Sequence, residues 1–126
     1  MRLLLDTHIL LWWLRNHPAL SLRARALISD PVNNVFVSPI SLWEIAIKTR
    51  LGKLAADVDE IREAVAAYGF VPFPFLIEHA VAVSQLPDHH RDPFDRALIA
   101  QARGEPLRLL THDALLAAYG DCVEVV

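Results

Sequence analysis

One cysteine, Cys122, stands in the whole chain, which excludes an intramolecular disulfide and a cysteine-rich zinc site; the thiol reads as a buried or edge residue. No apolar run approaches the roughly 20 residues a membrane-spanning helix needs. The longest, Ile9 to Leu14, is hemmed in by His8 and Arg15. The opening Met1-Arg2-Leu3-Leu4-Leu5 is interrupted by Asp6 and His8 with no small-residue cleavage site after it, so the expectation is a cytoplasmic chain without membrane contact. Glycine-rich phosphate loops, a Gly-x-Ser-x-Gly elbow and a His-x-x-x-His helix motif are all missing, which leaves nucleotide-triphosphatase, serine-hydrolase and helical zinc-hydrolase readings without support. An excess of basic charge is missing too. With 12 Lys and Arg against 15 Asp and Glu the net charge is −3, so any nucleic-acid binding rests on local basic residues. No repeat, low-complexity segment or linker is visible.

What is present is apolar matter in an ordered pattern. The chain has 126 residues, 54% of them hydrophobic, enough for one domain, 1–126, that buries roughly two thirds of its unfolded surface. Arg2 to Leu5 reads as a buried strand ending in a turn at Asp6-Thr7, followed by a helix from Ile9 to Arg15 that Pro18 ends. Trp12 and Trp13 cannot both face one core, so one of them is expected at the surface or an interface. Ser21 caps a short helix over 22–28, Val35-Phe36-Val37 is a second strand, and Ser38-Pro39 opens a helix from Ile40 to Arg50 that Gly52 closes. Asp57 and Glu60 form a capping box for a helix reaching Tyr68 and Gly69. Phe70 to Phe73 is a short strand whose proline marks a sheet edge. Leu76 to Gln85 is a helix with Ala80 and Val83 on its inner face, and Pro93 to Arg103 is another, capped at Gly104. Leu107 to Leu110 is a strand, a short helix runs through Tyr119, and Val123 to Val126 is a last strand. Strands written as continuous apolar runs and alternating with helices imply a mostly parallel sheet covered on both faces.

The acids fall at the joints of this pattern. Asp6 and Asp113 each follow a strand directly, and Asp95 stands in the first turn of the helix that Asp92 caps. Glu44 sits one turn into its helix amid Leu42, Trp43, Ile45, Ala46 and Ile47, either facing solvent or aimed at something that neutralises it. Each has a plain structural reading: turn residue for Asp6, N-cap for Asp92 and Asp113, first-turn acceptor for Asp95. Taken together they would project toward one sheet edge, where open parallel α/β sheets form their sites. Four carboxylates in one pocket repel one another, and a divalent cation resolves the conflict. Oxygen ligands select hard ions, Mg²⁺ or Mn²⁺ before zinc, and phosphodiester hydrolysis is the reaction that fits. His89 and His90 beside Asp88 and Asp92 offer a weaker zinc reading, since adjacent residues rarely converge on one ion. Thr7 and Thr111 are candidates to hold the acids or a phosphate. Arg96 and Lys48 are candidate phosphate or RNA contacts, with Arg50 and Lys53 further along the same helix end as Lys48.

Leu3-Leu4-Leu5-Asp6-Thr7-His8, Ser41-Leu42-Trp43-Glu44-Ile45, His90 through Ala102 with its Asp92-Pro93-Phe94-Asp95-Arg96 core, and Leu110-Thr111-His112-Asp113 resemble the successive motifs of PIN-domain proteins, most of all the VapC-type toxin ribonucleases of toxin–antitoxin pairs. The resemblance spans essentially the whole chain. It implies a three-layer α/β/α sandwich around a mostly parallel sheet of four to five strands, and endoribonuclease activity dependent on Mg²⁺ or Mn²⁺. It also implies a small cognate antitoxin as inhibitor and a homodimer. By motif, Asp6, Glu44, Asp95 and Asp113 match the acidic quartet, with Asp6 and Asp95 as main metal ligands. Glu44 and Asp113 would bind metal directly or through water, and Asp92 matches an extra acid of one subgroup. Where the family often has asparagine before the last acid, this chain has His112.

Two other classes compete. A signalling receiver domain also gathers acids around Mg²⁺ at parallel strand ends, but here the second strand runs into Ser38-Pro39 and no lysine follows Arg108. A catalytically inactive PIN-like binding module is the other, and four mutually repelling acids are a burden that a pure binder has no use for. Single-stranded or looped RNA fits better than duplex, because a metal site at the rim of a compact domain needs a splayed backbone.

Overall fold

The computed structural model describes all 126 residues. Five strands, β1 (Arg2–Leu5), β2 (Asn34–Val37), β3 (Val71–Pro72), β4 (Arg108–Thr111) and β5 (Val123–Val125), alternate with six α-helices and one 3-10 helix. The helices are α1 (Thr7–Leu14), α2 (Leu22–Ser29), α3 (Pro39–Arg50), α4 (Val58–Ala67), α5 (Ile77–Ser84) and α6 (Pro93–Gly104), and the 3-10 helix is Ala114–Tyr119. All strand pairs are parallel, in the order β3-β2-β1-β4-β5.

The central strand shows why its sequence is a plain leucine run. Leu3, Leu4 and Leu5 are all fully buried, but successive side chains point to opposite faces. Leu3 and Leu5 join a core with Ile9, Leu10, Ile28, Ile61 and Val65, from α1, α2 and α4. Leu4 joins a second core with Leu98, Ile99, Leu109 and Leu116, from α6, β4 and the 3-10 helix. A strand covered on both faces has no use for polar alternation, and each leucine so buried contributes about 2 kcal/mol. The result is the three-layer α/β/α sandwich, with α3 feeding both cores through Ile45 and Ile40.

The chain leaves β1 for β2 on one side and returns to β4 on the other, so the strand order reverses between β1 and β4. In register there, Leu5 pairs with Leu110, which puts the ends of both strands, and the residues after them, side by side at the crevice where such sheets bind ligands. A receiver-type sheet has the order 2-1-3-4-5, and the observed order excludes that reading.

Several local expectations are corrected. Helix α1 begins at Thr7, two residues before Ile9, because Asp6 itself is its cap. Its other end agrees with expectation to within one residue: Leu14 is last and Arg15 is the cap, and it is Asn16, with a left-handed φ of 49°, that turns the chain ahead of Pro18. Gly104 is the last residue of α6, and the cap falls to extended Glu105. On α5 Val83 packs against the second core as expected, but Ala80 is exposed and the fully inner residue is His79. Neither Trp12 nor Trp13 is the exposed tryptophan: both are half-buried, Trp13 against Tyr68 and Phe70, and the exposed one is Trp43 on α3. Cys122 is half-buried and burial pushes its thiol up, the mark of an unreactive group.

Candidate metal centre

Asp6 leaves β1 with its backbone N–H still donating to Leu110 O at 3.1 Å, so the sheet ladder fixes its position. Its Oδ1 accepts the Ile9 N–H at 2.8 Å and its Oδ2 accepts the Thr111 hydroxyl at 2.5 Å. The residue is 4% exposed, and burial raises the pKa of its carboxyl. The hydrogen bonds from Thr111 and Ile9 and the neighbouring His8 draw it back, and Glu44 adds to the rise. Thr111 also accepts the Asp113 N–H at 3.1 Å, so one fully buried hydroxyl buckles both strand-end acids together.

Asp113 caps the 3-10 helix through Oδ1, which accepts the Leu115 N–H at 3.0 Å, and turns Oδ2 to His90. Asp92 caps α6 with Oδ1 alone, accepting from Phe94 and Asp95 at 2.8 and 3.0 Å. Its charge, with those of Asp6 and Glu44, adds to burial in raising the pKa of Asp95 to about 7, against a smaller lowering by His90. Glu44 is not a solvent-facing acid: it is 3% exposed, its Oε2 takes the Lys48 ammonium at 2.5 Å, and its buried Oε1 has no hydrogen-bond partner. Lys48 is held in its charged form first by Glu44 and also by Asp92 and Asp95.

A cavity of about 370 Å³ opens over these groups, lined by Asp6, His8, Trp12, His90, Asp95, His112 and Asp113. Three of the four sequence-matched acids therefore meet in it, while Glu44 does not line it and reaches Asp6 and Asp95 by its charge. His90 was expected only in the weaker zinc reading with His89, yet its Nε2 lies 3.1 Å from Asp113 Oδ2 and 3.8 Å from Asp95 Oδ2. Its Nδ1 accepts the Asp92 N–H at 3.1 Å, which places the ring proton on Nε2 as a donor to the acids. His89 goes elsewhere, edge-on to Tyr119 with centroids 5.0 Å apart, so the two adjacent histidines form no zinc pair.

Two expected phosphate contacts are engaged otherwise. Arg96 donates to the carbonyls of Val83, Leu86, Pro87 and His90 and to the Tyr119 hydroxyl, with its side chain only 15% exposed. It clamps the loop between α5 and α6. The Thr7 hydroxyl is buried against Ser41 Oγ at 3.1 Å, joining α1 to α3.

The donor set fits a divalent cation. Carboxylate oxygens of Asp95 and Asp113 lie within 4.8 Å of one another and of His90 Nε2, whose proton is donated to them here and would have to leave before the ring could itself be a ligand. Carboxylate oxygens dominate, Asp95 is crowded by like charge, and the buried Glu44 Oε1 lacks any partner. Oxygen-rich sets favour hard ions such as Mg²⁺ or Mn²⁺.

Comparison with known proteins follows the same lines. No curated protein matches the chain significantly. Among solved structures the chain is similar to VapBC2 from Rickettsia felis bound to a DNA fragment from its promoter, 15% identical over 100% of this chain and 99% of that one, with a TM-score of 0.71. It is similar to FitAcB from Neisseria gonorrhoeae, 21% identical over 96% and 95% of the two chains, TM-score 0.63. It is also similar to VapBC-5 of the VapBC family of toxin-antitoxin systems from Mycobacterium tuberculosis, 23% identical over 99% and 97%, TM-score 0.63. Residues 3–121 match the family model of the PIN domain, and the chain belongs to that family.

Proposed function

We propose that the protein is a metal-dependent endoribonuclease that hydrolyses RNA phosphodiester bonds as the toxin of a toxin–antitoxin pair. The observation that carries this reading is the convergence of Asp6, Asp95 and Asp113 in one cavity at the sheet's reversal point, with the Glu44 charge reaching two of them. In this reading Asp6, Asp95 and Asp113 hold Mg²⁺ or Mn²⁺, Glu44 acts on the ion through water and by its charge from beside the cavity, and Asp92 serves the site as cap and charge. The chemistry such an ion supplies when bound is activation of water and neutralisation of charge on the scissile phosphate.

The chain's own groups prepare that chemistry by position. The caps at Asp6 and Asp113 leave each carboxylate one fixed orientation. Thr111 holds those two acids in register, and His90 steers the Asp113 oxygen with its Nε2 proton. Lys48 balances the buried Glu44 and offers a cation to an RNA backbone passing along α3.

The partner expected is a small antitoxin, in keeping with the similar VapBC-5, which belongs to a family of toxin-antitoxin systems. A homodimer is supported by apolar residues left exposed on α5, among them Ile77 and Val81. No helix is long and apolar enough to cross a membrane, and a cytoplasmic place beside its RNA substrate belongs to the same reading.

The test is incubation of total cellular RNA with the purified protein and Mg²⁺ or Mn²⁺, with EDTA and Asp6→Asn as controls. Discrete fragments that vanish in both controls are expected, with at least a roughly hundred-fold loss of rate for the variant, as for removal of a group that acts directly on the reacting centre. Cleavage by Asp6→Asn at the wild-type rate would overturn the assignment.

A further inference from the structure

The cavity that holds the acids has a second wall made of rings. Trp12 on α1 forms its centre, and the three imidazoles of His112, His17 and His8 surround it with centroids 5.2, 5.7 and 6.0 Å away. His17 lies nearly parallel to the indole, at 20°, while His112 meets it edge-on at 68°. His112 is itself fixed, its Nδ1 at 2.8 Å from the backbone oxygen of Val126. Trp12, His8 and His112 line the same cavity as Asp6, Asp95 and Asp113. His112 is the position at which the chain carries a ring beside the last acid.

We propose that this wall is the seat of an unpaired nucleobase, the one belonging to the nucleotide next to the scissile phosphate. The inference rests on the nuclease reading above and adds to it what the enzyme grips. The two halves of the cavity differ in the way the two halves of a nucleotide differ. One side gathers carboxylates, suited to a phosphate only through the cation they hold. The other carries π-faces and no acid, suited to a flat neutral heterocycle. A volume of about 370 Å³ is at the small end of the roughly 300–1,000 Å³ of small-ligand sites, room for one nucleotide and not for a stack of base pairs. The indole, braced by its imidazoles, loses little freedom on stacking. A base within a duplex is covered on both faces by its neighbours and is not available to such a wall, so the substrate class is single-stranded or looped RNA.

Binding is measured by anisotropy with a short fluorescein-labelled single-stranded RNA of mixed sequence and with its duplex. Ca²⁺ replaces Mn²⁺ to fill oxygen sites, and cleavage of the same RNA in Mn²⁺ is run in parallel. Trp12→Leu keeps apolar bulk without the ring, Trp12→Phe keeps a ring, and His112→Ala, at an exposed position, gives up, besides the ring under test, only the contact with the Val126 backbone oxygen; circular dichroism checks each. Stacking on an aromatic side chain is worth enough for Trp12→Leu to weaken single-strand binding roughly ten-fold or more. Trp12→Phe should restore most of the loss, His112→Ala should weaken binding several-fold, and duplex should bind poorly throughout. Wild-type affinity in Trp12→Leu and His112→Ala, or equal affinity for duplex, overturns the base seat and leaves the nuclease reading standing if the RNA is still cut. Ring-dependent binding without cleavage by the wild type supports the base seat and overturns the nuclease reading. No RNA binding by the wild type overturns both.

Discussion

Replacing Asp95 by asparagine should make the metal-free protein more stable, and more so as the pH rises. The Asp95 side chain is 23% exposed, and burial together with Asp92, Asp6 and Glu44 raises its pKa from 3.8 to about 7. Below 3.8 the folded and unfolded chains both hold the proton and the group costs nothing. Between 3.8 and about 7 the unfolded chain releases its proton while the folded chain keeps it, so stability falls steadily as pH rises; above 7 the loss is complete, at about 4 kcal/mol. Asparagine has the same shape and no charge. It gives up a 3.8 Å contact with His90 and a favourable charge at the start of α6 worth up to about 1 kcal/mol. The net gain for Asp95→Asn is then about 3 kcal/mol near pH 8, roughly 10 °C in Tm for a chain of this size, shrinking to about 1 kcal/mol near pH 5. Thermal unfolding of both proteins in EDTA across that range measures it. Added Mn²⁺ should narrow or reverse the gap by raising the wild type alone. An Asp95→Asn protein no more stable than wild type near pH 8, or a difference that does not grow with pH, would refute the crowding of carboxylates argued from the structure.

Thr111→Val preserves the shape of a β-branched residue in β4 but strips Asp6 Oδ2 of its donor and the Asp113 N–H of its acceptor. Urea unfolding should show a loss of about 1–3 kcal/mol. Because the Thr111 hydroxyl lowers the pKa of Asp6, calorimetry should also show weaker Mn²⁺ binding at neutral pH. Arg96→Ala should cost about 3 kcal/mol by leaving several carbonyls of the α5–α6 loop without a donor. Arg96→Lys should not rescue it, since an ammonium cannot fork among them. Hydrogen exchange should quicken through residues 83–91 in both, and unchanged protection there would show that the clamp is dispensable.

The sheet was legible because its strands are buried on both faces and therefore written as apolar runs, and Gly52 and Gly69 adopt the left-handed φ expected of helix ends. The strand order was not. That β1 lies between β2 and β4 depends on the pairing of Leu5 with Leu110, more than a hundred residues apart, and no local pattern carries it. Glu44 shows the same limit: its flanking residues describe a helix, while its burial beside Asp6 and Asp95 follows from where α3 packs on other elements, with Lys48 on the same helix pairing its charge. Arg96 follows Asp95 in sequence, but neighbours on a helix point about 100° apart, and the guanidinium meets carbonyls instead of the cavity. His90 entered the site through a loop conformation in which its Nδ1 takes the Asp92 N–H, a contact that no spacing rule encodes.

The acids themselves explain why their plain and functional readings were both available from the sequence. Asp6, Asp92 and Asp113 are each an N-cap in the structure, and each makes its cap with Oδ1 alone. A cap fixes a carboxylate at a helix start more firmly than a free side chain would be fixed, and it uses only one of the two oxygens. At Asp6 and Asp113 the second oxygen is then held by Thr111 and His90. The helix starts at the reversal point of the sheet thus serve as mounts for charge. The same hydrogen bonds that begin α1 and the 3-10 helix also set the positions from which those carboxylates would grip a cation. The capping role and the acidic cluster are therefore compatible uses of the same side chains, which is why each could be read from the sequence without excluding the other.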